Sequence, residues 1–133
     1  MNLPNTMHAD ATATRPTTTA AGARERARKF LEALREPAVT NHAAEIVILV
    51  VSELVTNALR HGGGIYTLRL TAHPDLIEVA VGDPSPQVPR LRAPDPTGAT
   101  GGYGWHIVTR IARTTAITHR PTGGKTVTAF LPR

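Results

Sequence analysis

Apolar residues between positions 20 and 34 recur at three- and four-residue intervals, the spacing of an amphipathic helix. The face that this helix is expected to bury consists of Ala23, Ala27, Phe30, Leu31 and Leu34. Pro37 is expected to end the helix, because proline has no backbone N–H to offer to the next turn.

A second helix is predicted to begin at Thr40 or Asn41, since either side chain can accept a hydrogen bond from the first turn. The β-branched run over residues 46–51 fits a buried strand equally well when taken alone. Its continuation favours a helix, and Gly62 stands where a C-terminal cap belongs. The apolar stripe of this helix consists of Val47, Val51, Leu54 and Ala58. We predict roughly 20 helical residues that are deeply buried.

The rest of the chain carries strand patterns separated by turns. Residues 67–71 and 76–81 are close enough in sequence to form an antiparallel hairpin, and residues 114–118 and 126–131 predict another. A short helix is predicted over residues 104–112. Its inward residues are expected to be Trp105, Val108 and Ile111 or Ala112.

The order of elements predicts an α+β fold, a two-layer sandwich of a mixed, mostly antiparallel sheet with helices on one face. Residues 1–19 are rich in Thr, Ala and Pro and predict a flexible tail, with one weak strand near residues 13–18. Residues 20–133 are expected to form one domain. Within it, residues 84–102 hold five prolines and predict a long loop, which at this length is usually functional or disordered.

Composition narrows the function classes. The 133 residues are 41% hydrophobic, which suits one globular domain, and the absence of cysteine excludes disulfides and a thiolate zinc site. The formal net charge is +5, but the arginines are scattered and aromatic residues make up only 4%, so dedicated nucleic-acid binding is not expected. Neither a membrane-spanning run nor a secretory signal is evident, and a cytoplasmic location is expected.

Three groups of residues are candidates for chemistry. Glu53, Asn57 and His61 follow each other at i, i+4 and i+8, so they lie along one side of the second helix. A carboxylate, an amide and an imidazole in line fit a solvated helix face or a ligand site. Asp83 ends an apolar strand, where its carboxylate fits an Asp-Pro turn or an acceptor for the exocyclic amine of a base.

The third group is a glycine-rich stretch directly before the short helix. Gly102 and Gly104 would let backbone N–H groups approach an anion at a helix N-terminus, although a hinge would use the same residues. A similar stretch over residues 123–126 does not match a P-loop, because no helix can follow it. It is expected to be a hairpin turn that leads into the last strand.

Taken together, the order and spacing of these groups resemble the ATPase domain of the GHKL superfamily. The stretch from Glu53 through Asn57 to His61, then Asp83, a long loop, Gly104 and Thr126, is most similar to the bacterial anti-sigma-factor serine/threonine kinases. The resemblance covers about residues 20–133 and implies a Bergerat-type ATP-binding fold.

The resemblance also implies roles for single residues. Asn57 would ligate the Mg²⁺ that bridges the ATP phosphates, and Glu53 would be the general base for a serine hydroxyl. Asp83 would hold the adenine amino group, with Thr126 supporting it directly or through water. The phosphate side would be lined by Arg60, His61, Gly102 and Gly104.

The partners implied by the resemblance are a sigma factor, an anti-anti-sigma protein of the STAS type, or both, in a system that regulates transcription. Dimers are common among the relatives, so a homodimer is one expectation. The superfamily usually has two glycines after the aspartate, whereas this chain has Pro84 to Gln87 there. That departure motivates an alternative: a non-catalytic module that binds nucleotide or sequesters a partner.

Two further alternatives are compatible with the sequence. One is the detached ATPase domain of a histidine kinase. It is less favoured, because no dimerising phospho-acceptor helix precedes the predicted domain. The other is a basic nucleic-acid binder, which would show salt-sensitive affinity for DNA.

Overall fold

A computed structural model describes residues 7–11, 19–61, 64–86 and 104–133. The helices within them are α1 (Ala20–Ala33), α2 (Asn41–His61) and α3 (Gly104–Ile111). The strands are β1 (Met7–Ala11), β2 (Thr67–Ala72), β3 (Leu76–Asp83), β4 (Thr114–His119) and β5 (Lys125–Pro132). The predicted bounds of both hairpins and of the short helix agree with these elements to within a few residues.

The strands form one sheet in the order β1-β2-β3-β5-β4, and every described pair is antiparallel. The predicted α+β sandwich is therefore confirmed, while the mixed sheet that was expected is antiparallel throughout the described strands. The central strand β3 pairs with β5 over its whole length, from Leu76 opposite Pro132 to Asp83 opposite Lys125.

One face of the sheet supplies the hydrophobic core. Alternate residues of β3 and β5, such as Val79 and Ala129, are fully buried against the helices. On the other face Thr128 and Phe130 remain partly exposed. The helices therefore cover one side of the sheet, as predicted.

Helix α1 buries the face that its spacing predicted, with Ala23, Ala27 and Leu34 fully buried. Its first turn is capped by Thr19, whose Oγ1 accepts a hydrogen bond from Gly22 N at 3.1 Å. The helix ends at Ala33, and so Pro37 is not the residue that ends it. The last turn closes earlier, because Leu34 takes an extended conformation and its N–H bonds to Leu31 O at 3.2 Å.

Helix α2 has 21 residues and begins where the capping pattern predicted. Thr40 Oγ1 accepts from Ala43 N at 3.1 Å, so Thr40 is the cap and Asn41 the first helical residue. Among the described residues α2 alone is long and apolar enough to cross a membrane, with a mean hydropathy of 1.5. Core helices pass the same test, and α2 packs on α1, α3 and the sheet.

The N-terminal strand corrects the predicted tail over residues 1–19. Met7–Ala11 pairs antiparallel with β2, from Met7 opposite Ala72 to Ala11 opposite Leu68. The five residues of β1 contain no β-branched side chain, so their local pattern gave no strand signal. Pairing with the otherwise free edge of β2 makes them a strand.

Several predictions concern residues outside the described ranges. They are the weak strand near residues 13–18, the cap at Gly62, the site residue Gly102 and most of the predicted loop over residues 84–102.

Candidate functional site

The polar residues of α2 and the end of β3 lie at the same end of the molecule. The chain leaves α2 at His61 and enters β2 at Thr67, a step that spans at most about 20 Å. Thr67 pairs with Gly82, the neighbour of Asp83. Because α2 also packs on β3 and β5, its C-terminal end lies within that span of the sheet end where β3 stops and β5 begins.

Glu53 and Gly104 are in direct contact. A Cβ atom built on Gly104 would overlap Glu53 Oε2, so the carboxylate lies against the first residue of α3. The N-terminus of a helix carries partial positive charge, which favours a carboxylate there. The glycine thus allows α3 to begin directly at the carboxylate.

Asn57 lies one turn beyond Glu53 on the same side of α2. Both residues are half-buried. Arg60 and His61 follow in the last turn and are exposed. The positive charge of Arg60 at the C-terminal end of α2 has an ordinary structural use, because it complements the helix dipole.

Asp83 is the most buried polar residue of the predicted site, and its partner was not predicted. Its side chain and that of Lys125 are each 5% exposed, and Lys125 Nζ donates to Asp83 Oδ1 at 2.9 Å. Ser85 N donates to the same oxygen at 2.8 Å, and Lys125 Nζ also donates to Ser85 O at 3.2 Å. Asp83 therefore ends β3 in a buried ion pair.

Lys125 was missed because the sequence around it was interpreted only as a turn. A usable signal existed: it is one of two lysines in the chain and starts a strand. Its importance depends on the register of β5, which places it opposite Asp83.

Thr126 does not face Asp83. Successive residues of a strand point to opposite sides of the sheet, and Lys125 occupies the side of Asp83. Thr126 lies opposite Gly82 on the face away from the helices. The side-chain contact with Asp83 comes from Lys125, and the support by Thr126, directly or through water, stays a prediction.

Arg120 reaches the same corner and was also not predicted. Its Nη2 donates to Asp83 O at 2.7 Å. Gly124 lies against Asp83 O and Pro84 and has φ +83°, so any side chain there would be strained and would collide with backbone. The turn after β4 thus packs directly on the end of β3.

The donor set suits a magnesium ion that is held mainly by phosphates. The described residues contain no group of three or more His, Asp or Glu side chains able to hold a metal by themselves. Mg²⁺ prefers oxygen ligands and commonly takes only one or two from protein. The amide oxygen of Asn57, with the Glu53 carboxylate one turn away, fits that requirement.

A groove of about 280 Å³ between α1 and the N-terminal half of α2 is separate from this site. It is lined by residues such as Arg28, Glu32 and Glu45 and includes none of the predicted site residues.

Comparison with protein families gives a match over most of the chain. The family model described as "Histidine kinase-like ATPase domain" matches residues 16–130, which include all three helices and four of the five strands almost completely. Among curated proteins no match was found. The matched range contains Glu53, Asn57, Asp83 and Lys125.

Proposed function

Since the chain belongs to the histidine kinase-like ATPase domain family, we propose that it is a Mg-ATP-dependent protein serine/threonine kinase of the anti-sigma-factor type. Its substrate would be a serine or threonine of an anti-anti-sigma protein of the STAS type, and its output would be control of a sigma factor. Family membership itself supports ATP binding and the GHKL-type fold. The kinase activity, the magnesium ion and the partner are the added content of the proposal.

The observation that carries the proposal is the contact of Glu53 with Gly104, with Asn57 one turn away on the same flank. A carboxylate thereby lies at the N-terminus of α3, with an amide one helical turn further along α2. Phosphoryl transfer requires chiefly positioning and charge neutralisation.

The residues would divide the work as follows. Mg-ATP, when bound, supplies the phosphoryl group and the charge neutralisation. The Asn57 amide oxygen would hold the ion, and Glu53 would accept the proton of the serine hydroxyl. Arg60 and His61 would line the phosphate side.

Asp83 would hold the base. Its carboxylate would accept a hydrogen bond from the amino group of adenine, and α2 packs on the strand that Asp83 ends. Gly102 and Gly104 would offer N–H groups to the phosphates, which is a use that helix N-termini commonly have.

Transfer of radiolabelled phosphate to the anti-anti-sigma partner tests the proposal. The partner would first be identified by pull-down from the native cell and mass spectrometry. Glu53→Gln is expected to bind Mg-ATP normally in calorimetry but to lose about 10²- to 10⁴-fold in transfer rate. Glu45→Gln, an exposed glutamate on the same helix, is the matched control and should transfer at the wild-type rate. Equal transfer by Glu53→Gln would remove Glu53 from the role of base.

Asn57→Ala separates metal binding from proton transfer. We expect it to weaken Mg-ATP binding at least tenfold, whereas Asn41→Ala, an exposed asparagine at the start of α2, should have no effect. Unchanged affinity of Asn57→Ala for Mg-ATP would contradict the metal assignment.

A second candidate function is a non-catalytic module that sequesters its partner. It is favoured by the absence of the two glycines after Asp83, where Ser85 and Gln87 stand instead, and by the Asp83 oxygen that Lys125 already occupies. Partner binding without detectable Mg-ATP binding would favour this candidate over the kinase. The cytoplasmic location and the homodimer remain predictions.

A further inference from the structure

In the buried ion pair of Asp83 and Lys125, each side chain keeps one hydrogen-bonding position that no described residue uses. Asp83 Oδ1 accepts from both Lys125 Nζ and Ser85 N, which fixes the orientation of the carboxylate. Among the described residues, Asp83 Oδ2 receives no hydrogen bond. A carboxylate oxygen can accept two bonds, so Oδ2 is the atom that Asp83 can offer to a ligand.

Lys125 has a corresponding donor to spare. An ammonium group carries three N–H donors, and two of them are accounted for by Asp83 Oδ1 at 2.9 Å and Ser85 O at 3.2 Å. The described residues provide no third acceptor. The Lys125 ammonium therefore has a free N–H donor close to Asp83 Oδ2, the free acceptor of the same pair. Both groups lie on the helix-covered face of the sheet.

We propose that Lys125 is a specificity-determining residue that donates a hydrogen bond to N1 of adenine, while Asp83 Oδ2 accepts one from the 6-amino group. The inference rests on the proposed function, because it takes adenine as the base held at Asp83. Thr126 cannot have this role directly, since it lies on the opposite face of the sheet.

The pattern of donors and acceptors supports this arrangement. Adenine has its N1 acceptor directly beside its 6-amino donor, and the Lys125–Asp83 pair presents the complementary donor beside an acceptor. Both side chains are 5% exposed, and hydrogen bonds are stronger in such surroundings than in water. An ionised lysine also keeps the buried carboxylate paired rather than isolated.

The test compares ATP with 1-deaza-ATP, in which N1 is replaced by C–H while the 6-amino group is kept. Calorimetry with Mg²⁺ present should show that the wild type binds ATP about tenfold tighter than 1-deaza-ATP. Lys125→Met should bind ATP more weakly and should bind the two nucleotides equally. Lys29→Met removes the other, exposed lysine and should keep the wild-type ratio.

A purely structural Lys125 gives a different result. If the residue only held Asp83 in place, Lys125→Met would weaken both nucleotides by the same factor and keep the tenfold ratio, which would overturn the inference. Lys125→Met leaves the Asp83 charge buried and unpaired, so its fold is checked by circular dichroism. Asp83→Asn combined with Lys125→Met removes both charges and should likewise show equal binding of the two nucleotides. A persistent preference for ATP there would also contradict the contact with N1.

The wild-type measurement separates the role of Lys125 from the proposed function. Equal affinity of the wild type for ATP and 1-deaza-ATP would overturn the role of Lys125 and leave the proposed function intact. No binding of Mg-ATP by the wild type would contradict the proposed function, and this inference with it.

Discussion

Gly104 is the residue at which the lack of a side chain most directly shapes the candidate site. Its Cα lies against the Glu53 carboxylate, and the atom that a Cβ would meet is the far end of a flexible side chain. Such a carboxylate can move aside at small cost. Replacing Gly104 by alanine should therefore disturb the position of Glu53 more than it disturbs the fold.

Gly104→Ala is accordingly expected to change the free energy of unfolding by less than about 1 kcal/mol, since alanine also favours the helix. Phosphoryl transfer should fall at least tenfold, because Glu53 is displaced from its position. Gly22→Ala in α1 is the control, because its Cβ would make only an ordinary 3.6 Å contact with Thr19 Oγ1. Thermal unfolding and radiolabel transfer measure the two effects, and unchanged transfer by Gly104→Ala would contradict the link to Glu53.

Tyr66 ties the start of α1 to the segment before β2. The residue is 3% exposed, and its hydroxyl donates to Thr19 O at 3.1 Å. Burial raises the pKa of the Tyr66 hydroxyl above its ordinary value, and the positive charge of Arg26 offsets only part of that rise. The folded state thus holds this proton more tightly than the unfolded chain.

Tyr66→Phe removes the hydrogen bond to Thr19 O and is expected to lower the free energy of unfolding by about 1 kcal/mol at neutral pH. Above about pH 10 the unfolded wild-type chain releases the tyrosine proton first, so wild-type stability should fall as the pH rises. The variant should show a shallower fall over that range. Urea unfolding between pH 8 and 11 measures both effects, and identical slopes for the two proteins would argue against the raised pKa.

At the scale of elements, α2 was predictable because its signals are local. A cap at Thr40, a long apolar stripe and polar positions one turn apart all depend on residues close in sequence. Strand β1 was not predictable in this way. Its backbone hydrogen bonds go to β2, about sixty residues later, and its own residues have little strand propensity.

Thr40→Ala tests the cap of α2. Loss of the 3.1 Å bond from Ala43 N should lower the free energy of unfolding by about 1 kcal/mol. Thr122→Ala, in the exposed turn between β4 and β5, should change it by less than about 0.5 kcal/mol. Chemical denaturation of the three proteins provides the comparison. A Thr40 variant as stable as the wild type would mean that water replaces the cap.

At the scale of the whole molecule, Arg133 joins segments that are far apart in sequence. Its Nη1 donates to His73 O at 2.9 Å, and its Nη2 donates to Arg35 O at 2.9 Å and to Pro37 O at 2.6 Å. The guanidinium thus connects the end of β5 to the β2–β3 turn and to the segment between α1 and α2.

Arg133→Ala is expected to cost about 1–3 kcal/mol of stability, because three backbone carbonyls lose a charged donor. Arg133→Lys should recover only part of this, since an ammonium lacks the planar fork of donors. Arg113→Ala, which removes an exposed side chain, is the matched control. Melting temperatures of the wild type and the three variants test this expectation. Equal melting temperatures of Arg133→Ala and Arg113→Ala would show that the three hydrogen bonds make no net contribution to stability.

The sequence by itself determined the elements whose signals are short in range: α1, α2, α3, both hairpins, and the alignment of Glu53 with Asn57. Helical periodicity and turn chemistry are set by neighbours within a few residues, and so they can be deduced from the sequence. Only the tertiary structure decided the pairing of β1, the contact of Glu53 with Gly104, and the choice of Lys125 over Thr126 as the partner of Asp83. Each of these depends on strand register or helix packing, where a shift of one residue turns a side chain to the other face of the sheet.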